Sequence, residues 1–457
     1  MASDTPDSIR NLVIYEVYVR SHGPHGAFAD VQADLARIRA LGVDVVWFMP
    51  IHPIGRLKRK GSRGSPYAIV DYREVNPEYG TKEDFRRLVD AAHALGLKVM
   101  IDVVYNHTAA DSRLVQMHPE WFHQDESGHP VTTVPEWSDV IDLAHPNPDL
   151  TAYLLETLQS WAEFGVDGFR CDVASLVPLG FWLQARQAVE QVKPGMIWLA
   201  ESVHTGWLPE RRAAGLRAIS DAELYQAFDL TYDYDAWPSW QAAVRGDAPF
   251  SRYLEFLRLQ DGIYPSNYAK LRCVENHDQP RILSLAPGRA QALAWTAFAA
   301  FNKGAFLIYA GQEAGATHTP SLFEVDPIDW GGEDLGPFLS RLTRLKKDPA
   351  QTEGRFVLLE GEQGQQEAAP SIQTAWLHPA GTLYGVFNPA AASGEVRVHL
   401  PDGEYEDLLG GAPLEVRQGR AALPESAAII RLPPGRRPLT ERPFFSLLLD
   451  YRRPADD

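Results

Sequence analysis

The stretch FGVDGFRCD, residues 164–172, contains a transition that recurs along this chain of 457 residues. An apolar residue that closes a helix is followed by a glycine, a short strand, and a charged residue where the strand ends. The same step from helix through glycine to strand occurs at 41–43 and at 95–97. Glycine is suited to the left-handed backbone with which many helices end before the chain turns back. The repetition predicts alternating helices and strands.

Eight short apolar runs, each bounded by turn residues, form the strands of this alternation. We predict strands at Val13–Val19, Val43–Phe48, Lys98–Val104, Val166–Cys171, Met196–Ala200, Leu224–Phe228, Ala269–Val274 and Ala305–Tyr309. Near-continuous apolar strands are typical of a parallel sheet covered on both faces. Helical patterns lie between them, and Thr81 with Asp84 can cap the start of one. The order predicts an α/β fold, a (β/α)8 TIM barrel. An open doubly wound sheet is the alternative, which the lack of a Gly-x-Gly-x-x-Gly turn disfavours.

Two regions depart from the alternation. The connection at 105–146 shows little periodicity, and a connection of that length predicts a short inserted subdomain after strand 3. Beyond about residue 350, short alternating runs separated by Gly, Pro and Asn predict a C-terminal antiparallel β-sandwich domain. We therefore divide the chain into a barrel (1–104 and 147–350), the insertion (105–146) and a C-terminal domain with a tail (351–457).

Composition excludes several classes of partner. The 43 basic and 60 acidic side chains give a net charge of −17, which repels nucleic acid. No run of 18 apolar residues is present, so we expect no membrane span. The first seven residues carry no basic and apolar leader, and Cys171 and Cys273 are too few for a disulfide framework. We expect a cytoplasmic protein, and the sequence does not indicate its oligomeric state.

Polar side chains cluster at the C-terminal ends of four predicted strands, which is where the active sites of such barrels lie. They are Asp102, Asn106 and His107 at strand three, Arg170 and Asp172 at strand four, Glu201 at strand five, and His277 and Asp278 at strand seven. One charged residue at a strand end is common. Four carboxylates with an arginine and two histidines on one face predict a reaction centre.

The spacing of Asp172 and Glu201 suits the cleavage of glycosidic bonds. Retaining cleavage needs two carboxyl groups about 5–5.5 Å apart, one ionised and one protonated. Neighbouring strands place their ends about 5 Å apart. Arg170 shares a strand face with Asp172, so its charge should lower the pKa of Asp172 and keep it ionised. The apolar residues before Glu201 should desolvate it and raise its pKa.

Six segments resemble, in the same order, the motifs of the α-amylase family of glycoside hydrolases and transglycosylases. The segments are SPYAIVDYREVNPEYGT (65–81), DVVYNHT (102–108), GFRCDVAS (168–175), LAES (199–202), ENHDQPR (275–281) and AGQE (310–313). The likeness covers about residues 10–345, and the C-terminal region resembles the β-sandwich of the family. The segment 50–67 looks like that of cytoplasmic amylase-like proteins.

The resemblance implies a role for each matching residue. Asp172 would be the nucleophile, Glu201 the acid/base and Asp278 the stabiliser of the transition state. The subsite for the cleaved sugar would be shaped by Tyr67, Asp102, His107, Arg170 and His277. The implied function is hydrolysis of α-glucosidic, mainly α-1,4, bonds in maltooligosaccharides or starch and glycogen fragments. The alternative is a 4-α-glucanotransferase or maltosyltransferase that uses the same intermediate, and an inactive binding scaffold is a third hypothesis.

Other features of the sequence leave alternatives open. Asn106 and Asp142 match a family calcium site in part, so calcium is a candidate ligand although no cofactor is expected to be required. Trp207 could stack on the leaving-group sugar or serve only in packing. A basic loop at 56–63 is either a solvated surface or a site for a sugar phosphate. Its charges are Arg56, Lys58, Arg59, Lys60 and Arg63.

Overall fold

Eight parallel strands close into a barrel in which strand one pairs with strands two and eight. The computed structural model describes residues 1–359, 371–436 and 438. The barrel strands are Val13–Val17, Val45–Phe48, Lys98–Val103, Gly168–Cys171, Ile197–Ala200, Leu230–Tyr232, Lys270–Arg272 and Ala305–Tyr309. The predicted (β/α)8 barrel is therefore confirmed, and the doubly wound alternative is wrong.

Helices occupy the connections between the barrel strands and the segment that follows the barrel. The α-helices are Val19–His22, Phe28–Ala40, Lys82–Ala94, Arg113–Met117, Pro148–Phe164, Leu179–Glu190, Trp207–Ala213, Asp221–Leu224, Trp237–Arg245, Ser251–Ile263, Ile282–Leu285, Arg289–Phe301, Gly336–Leu345 and Pro349–Glu353. Short 3-10 helices are Asp7–Asn11, Pro119–Trp121, Ala174–Leu176 and Gln312–Ala314. Within the described residues, none of the helices has the length and apolar character needed to cross a membrane.

The helix cap and the glycine helix end predicted from the sequence are present in the structure. The helix Lys82–Ala94 begins with Thr81 accepting a hydrogen bond from the Asp84 backbone, while the Asp84 side chain accepts from the Thr81 backbone. Its buried face is Phe85, Leu88, Val89 and Ala92. Gly165 ends the helix Pro148–Phe164 with φ 116°, a left-handed conformation that favours glycine. These ends direct each helix back onto the next strand.

The sixth strand lies later in the chain than predicted. Residues Asp221–Leu224 form a short helix that Ser220 and Glu223 cap, and the strand is Leu230–Tyr232. Leu224 and Phe228 are fully buried, so their apolar character reflects packing against the barrel rather than membership of the strand. A short apolar run does not distinguish a strand from a buried helical turn.

The insertion after strand three is a small, ordered unit. Two short strands, His107–Ala109 and Val140–Asp142, pair antiparallel within it. The insertion therefore has its own secondary structure, beginning immediately after the barrel strand that carries Asp102.

The C-terminal region is antiparallel, as predicted. Arg355–Leu358, Ile372–Leu377, Thr382–Phe387 and Ala427–Leu432 form one sheet. Two smaller sheets pair Glu395–Arg397 with Arg420–Ala422 and Gly403–Tyr405 with Leu414–Val416. One apolar cluster joins residues of the larger sheet, such as Val386 and Ile430, to Val396 and Val416 of the smaller sheets. The predicted tail beyond residue 438 lies outside the described residues.

Candidate active site

Parallel pairing brings the ends of strands three, four and five together. Asp102 is in register with Arg170 on the neighbouring strand, and Arg170 is in register with Leu199. The Glu201 backbone N–H donates to the Cys171 carbonyl at 3.0 Å, one residue before Asp172. The structure thus places Asp102, Asp172 and Glu201 side by side at the C-terminal end of the barrel, as predicted.

Arg170 holds these three carboxylates with one guanidinium group. Its Nη1 donates to both oxygens of Asp102, at 2.9 and 3.0 Å, and to Asp172 Oδ1 at 2.9 Å. Its Nη2 lies 3.0 Å from Glu201 Oε2. Arg170 is fully buried, and its guanidinium lies 5.2 Å from the ring centroid of Trp47 and 5.6 Å from that of Tyr232. One buried cation therefore fixes the positions of three acidic groups.

The two oxygens of Asp172 have different surroundings. Oδ1 accepts from Arg170, whereas Oδ2 is buried with no hydrogen-bond partner among the described residues. His107 Nε2 lies 3.9 Å from Oδ2. Burial raises the pKa of Asp172 to about 7, and the opposing effect of Arg170 is smaller. The expectation that Arg170 would hold this pKa low is therefore wrong, because burial of the Asp172 carboxyl outweighs the influence of the arginine.

Glu201 is oriented by one hydrogen bond and one ion pair, both at the same oxygen. Oε2 accepts from the Val173 backbone N–H at 2.8 Å and lies 3.0 Å from Arg170 Nη2. These contacts leave Oε1 as the oxygen that can carry a proton. Burial raises the pKa of Glu201 to about 7, again against the influence of Arg170, with further upward contributions from Asp172 and Asp278. The predicted upward shift is in the same direction.

A second group of side chains surrounds His277. Tyr67 stacks on the His277 ring, with centroids 5.5 Å apart, and its hydroxyl lies 2.7 Å from Nε2. Nε2 also lies 3.0 Å from Asp278 Oδ2, while Nδ1 contacts Glu16. Burial lowers the pKa of His277, but the two carboxylates outweigh it and raise this pKa well above the ordinary value. His277 is therefore a charged link between Glu16 and Asp278.

Glu16 and Tyr232 are two residues of this network that the sequence reasoning missed. Glu16 is fully buried in the strand Val13–Val17, and Tyr232 lies on strand six beside Arg170. A glutamate inside an otherwise apolar run was the available signal for the first. Tyr232 gave no such signal, because a tyrosine in a strand is ordinary core composition.

His107 belongs to the first strand of the insertion and lies beside Asp172. Burial lowers the pKa of His107 to about 4, so the ring is neutral at pH 7. Its ring centroid is 5.3 Å from that of Trp137, which in turn lies 6.2 Å from Trp207. Trp137 lines the cavity above the carboxylates, whereas Trp207 packs behind it with Arg211 over its ring. Trp137 is thus better placed than Trp207 to meet a sugar.

The structure does not show a calcium site at Asn106 and Asp142 among the described residues. Asp142 Oδ2 accepts from the Thr133 backbone N–H at 2.7 Å and from its hydroxyl at 2.6 Å, and Arg211 donates to that hydroxyl. Asp142 Oδ1 is buried without a partner. In the described parts of the chain, no group of three or more His, Cys, Asp or Glu could hold a metal. One carboxylate oxygen and one amide oxygen fall short of the six to eight oxygens that calcium takes, and Arg211 already brings positive charge.

The carboxylates open into a cavity of about 360 Å³. It lies at the C-terminal ends of the strands, where the barrel architecture places active sites. Its lining comprises Lys60, Ser65, Tyr67, His107, Trp137, Asp139, Val140, Asp172, Val173, Glu201, Asp278, Leu322 and Phe323. A buried carboxyl pair with raised pKa values at the floor of such a cavity is typical of an enzyme that moves protons.

Family models match most of the chain. The alpha amylase catalytic domain matches residues 7–133 and 121–353, and the bacterial alpha amylase C-terminal domain matches residues 366–430. The chain therefore belongs to the α-amylase family and is an enzyme of that family. The resemblance read from the sequence motifs is confirmed.

Solved structures and curated proteins give the same family. An alpha-amylase from Lactobacillus plantarum is 42% identical with a TM-score of 0.89, covering 93% of this chain and 100% of that one. A noncanonic maltogenic alpha-amylase, AmyB from Thermotoga neapolitana, is 34% identical with a TM-score of 0.82 and coverages of 93% and 99%. An alpha-1,4-glucan:maltose-1-phosphate maltosyltransferase from Rhodospirillum rubrum is 32% identical over 57% of this chain and 38% of its own length. The chain spans 38–50% of the length of the first curated relatives.

Proposed function

We propose that this enzyme hydrolyses α-glucosidic, mainly α-1,4, bonds in maltooligosaccharides or starch and glycogen fragments, with retention of configuration. The observation that carries the proposal is the pair Asp172 and Glu201 on the two terminal nitrogens of the Arg170 guanidinium. Two carboxyls bound to one guanidinium suit the roughly 5–5.5 Å separation of a retaining pair better than the ~6.5–9.5 Å of an inverting pair.

The geometry supports a different step for each of the two carboxyls. Asp172 Oδ2, which has no hydrogen-bond partner, attacks the anomeric carbon while Glu201 gives its proton to the departing glycosidic oxygen. The bond to the leaving sugar breaks and a glycosyl ester of Asp172 forms. Glu201, now ionised, then takes a proton from water, whose oxygen attacks the same carbon and releases Asp172. Both the acid and the nucleophile return to their starting states.

The surrounding residues bind and polarise the cleaved sugar. Tyr67 offers a ring face on which a pyranose can stack, and Asp102 and His107 can hydrogen-bond to hydroxyl groups. Asp278 has a 40% exposed side chain and is held by His277, so its negative charge faces the cavity where positive charge develops on the sugar. Trp207 remains a predicted contact on the leaving-group side.

A transferase with the same intermediate is the second candidate, because curated relatives include maltosyltransferases. A sugar-phosphate donor would require free cations in the basic loop. Lys60 is bound to Asp139 at 2.8 Å, Arg63 to Glu78 at 3.2 Å, and Arg59 to backbone carbonyls of its own loop. Three of the five basic side chains in the loop are thus engaged within the protein, which favours an unphosphorylated sugar chain over a sugar phosphate as the donor.

The test is to incubate the protein with maltopentaose and follow product length by chromatography, with Asp172→Asn as the blank. We expect only products shorter than the substrate, and a loss of turnover in the blank of at least about 10³-fold with an unchanged circular dichroism spectrum. Products longer than maltopentaose would establish the transferase instead. Absence of any product would favour the scaffold hypothesis and contradict the proposal.

Three further parts of the proposal concern the whole protein. We infer that no cofactor is required. Asp142, the candidate calcium ligand, accepts a hydrogen bond from Thr133, and Arg211 lies nearby. The free, buried Cys171 and Cys273 support a cytoplasmic setting. The division into a barrel at 1–104 and 147–350, an insertion at 105–146 and a C-terminal domain at 351–457 is supported by the change from parallel to antiparallel strands.

A further inference from the structure

Three loops meet along one side of the active-site cavity. They follow barrel strands one, two and eight. The loops after strands two and eight supply the cavity lining on this side, which includes Lys60, Ser65, Tyr67, Leu322 and Phe323. Strand five, which carries Glu201, is diametrically opposite strand one in the closed order of the barrel. The acid protonates the leaving group, so the leaving sugar departs toward Glu201. The loops of strands eight, one and two therefore lie on the side of the retained sugar.

These loops are bonded to each other rather than separated by a cleft. The Arg63 backbone N–H donates to the Phe323 carbonyl at 2.9 Å, and the Ser62 backbone N–H donates to Glu324 Oε1 at 2.9 Å. Gly61 packs so closely on this contact that an added Cβ would lie 2.7 Å from the Phe323 Cβ. The loop after strand two and the loop after strand eight thus form a continuous surface, which we call the glycone wall (residues 60–65 and 322–324).

A buried arginine holds the glycone wall from behind. Arg20, after strand one, is 4% exposed. Its Nη1 donates to the Gly64 carbonyl and to the Leu322 carbonyl, both at 3.1 Å. The Tyr18 hydroxyl donates to the same Leu322 carbonyl at 3.1 Å. Because both loops share these donors, neither can move away without leaving buried polar groups unpaired.

The glycone wall is also joined to the insertion. Lys60 Nζ lies 2.8 Å from Asp139 Oδ1 and donates to the Glu136 carbonyl at 3.0 Å. The Asp139 side chain is only 7% exposed, and both Lys60 and Asp139 line the cavity. This bridge extends from the loop after strand two to the subdomain that carries Trp137. The retained-sugar side is therefore bounded by three segments, of which the loop after strand two is bonded to the other two.

We propose that the glycone wall makes this enzyme exo-acting: it accepts the non-reducing end of an α-glucan and retains a glycone of one or two sugars. The inference rests on the proposed function, since it names the part of the chain that the same site cleaves. The cavity of about 360 Å³ is near the lower end of the roughly 300–1,000 Å³ range of ligand pockets. A long glycone would have to pass through the contacts between Arg63, Phe323 and Arg20.

The experiment compares two maltoheptaosides with the same reducing-end reporter. One has a free non-reducing end, and the other carries an ethylidene group across its terminal O4 and O6. We expect the free substrate to lose one or two glucose units at a time, and the capped substrate to react at least 50-fold more slowly. Equal cleavage of both substrates, or internal cleavage of the free one, would contradict the exo-acting role of the glycone wall but leave the proposed function intact. No cleavage of either would overturn the proposed function, and the inference with it.

Variants of the glycone wall test whether it excludes a capped chain end, through the ratio of the rates on the capped and the free substrate. Lys60→Ala and Phe323→Ala should each raise the rate on the capped substrate relative to the free one by at least 5-fold. The ratio is unaffected by a partial loss of folded enzyme. Arg56→Ala, an exposed change in the same loop, is the matched control and should leave the ratio unchanged. A ratio that stays constant in both wall variants would contradict the proposal.

Discussion

The carboxyls around Arg170 show how burial sets the protonation of the site. Arg170 contacts Asp102, Asp172 and Glu201, and burial raises the pKa of all three carboxyls, to about 6 for Asp102 and about 7 for the other two. Three carboxylates cannot all stay ionised around one cation in a buried site, so near neutral pH a proton is retained within the group. In the proposed mechanism, that proton is the one that Glu201 supplies to the leaving group.

The pH dependence of kcat/KM follows from these shifts. Asp172 must be ionised to attack, so activity falls as the pH drops through its raised pKa. Glu201 must be protonated, so activity falls as the pH rises through its own raised pKa. Because both are near 7, we expect a narrow bell centred near pH 7 for the free enzyme. The measurement is kcat/KM on a maltooligosaccharide from pH 4 to 10, and a flat plateau from pH 4 to 9 would contradict the assignment.

A substrate with an activated leaving group provides the control for this profile. Such a group departs without a proton, so Glu201→Gln should glycosylate at a rate that no longer falls at high pH. The acidic limb, which belongs to Asp172, should remain. Persistence of the alkaline limb in the variant would assign that limb to a group other than Glu201.

At the residue scale, sequence reasoning found the carboxylates because they end the strands. It did not find Glu16 or the burial that dominates the pKa of Asp172. The burial of both residues depends on how the ends of all eight strands pack together, and the sequence of one strand does not show this. The contacts of Asp142 with Thr133, and of Thr133 with Arg211, were also invisible in the sequence, because they form only in the folded insertion.

At the scale of elements, caps and glycine ends were predictable because they are local. Thr81 and Asp84 are three residues apart and their reciprocal bonds form as expected. The sixth strand was misplaced because the burial of Leu224 and Phe228 comes from tertiary packing. Local signals thus fix where helices begin, whereas apolar runs show only that a segment is buried.

The cap of the helix Lys82–Ala94 gives a test at this scale. Thr81→Ala removes the acceptor for the Asp84 backbone N–H, and we expect a loss of about 1 kcal/mol in the free energy of unfolding. Reversible urea unfolding followed by circular dichroism measures it. Asp90→Ala, exposed on the same helix, should change stability by less than about 0.5 kcal/mol. Equal effects of the two substitutions would mean that the cap does not stabilise the helix.

At the scale of the whole molecule, the larger C-terminal sheet packs against the helix Arg289–Phe301 of the barrel. Trp376 Nε1 donates to the Phe301 carbonyl at 2.7 Å, and Phe387 packs 5.3 Å from Phe298, ring centroid to ring centroid. One face of the larger sheet therefore belongs to the apolar core around the barrel, and the other face forms its own cluster with the smaller sheets. The switch from parallel to antiparallel strands was visible in the sequence, but this shared core was not.

Removal of metal tests the account of the insertion. Asp142 Oδ2 is bound by Thr133, and Arg211 supplies a nearby positive charge, so the insertion should hold its fold without calcium. We expect activity and melting temperature after dialysis against EDTA to equal those of the untreated enzyme, and added calcium to change neither. A fall in melting temperature of several degrees, restored by calcium, would show that Asn106 and Asp142 belong to a metal site after all.

The central claim is that Asp172 forms a covalent bond to the sugar, and trapping that ester tests it most directly. Glu201→Gln can be mixed with α-maltosyl fluoride, whose fluoride leaves without a proton, while the missing base slows hydrolysis of the ester. Mass spectrometry of the peptic digest should then show one maltosyl unit on the peptide that contains Asp172, and none in the Asp172→Asn, Glu201→Gln double variant. Consumption of the fluoride with no adduct, or an adduct on another residue, would contradict the account.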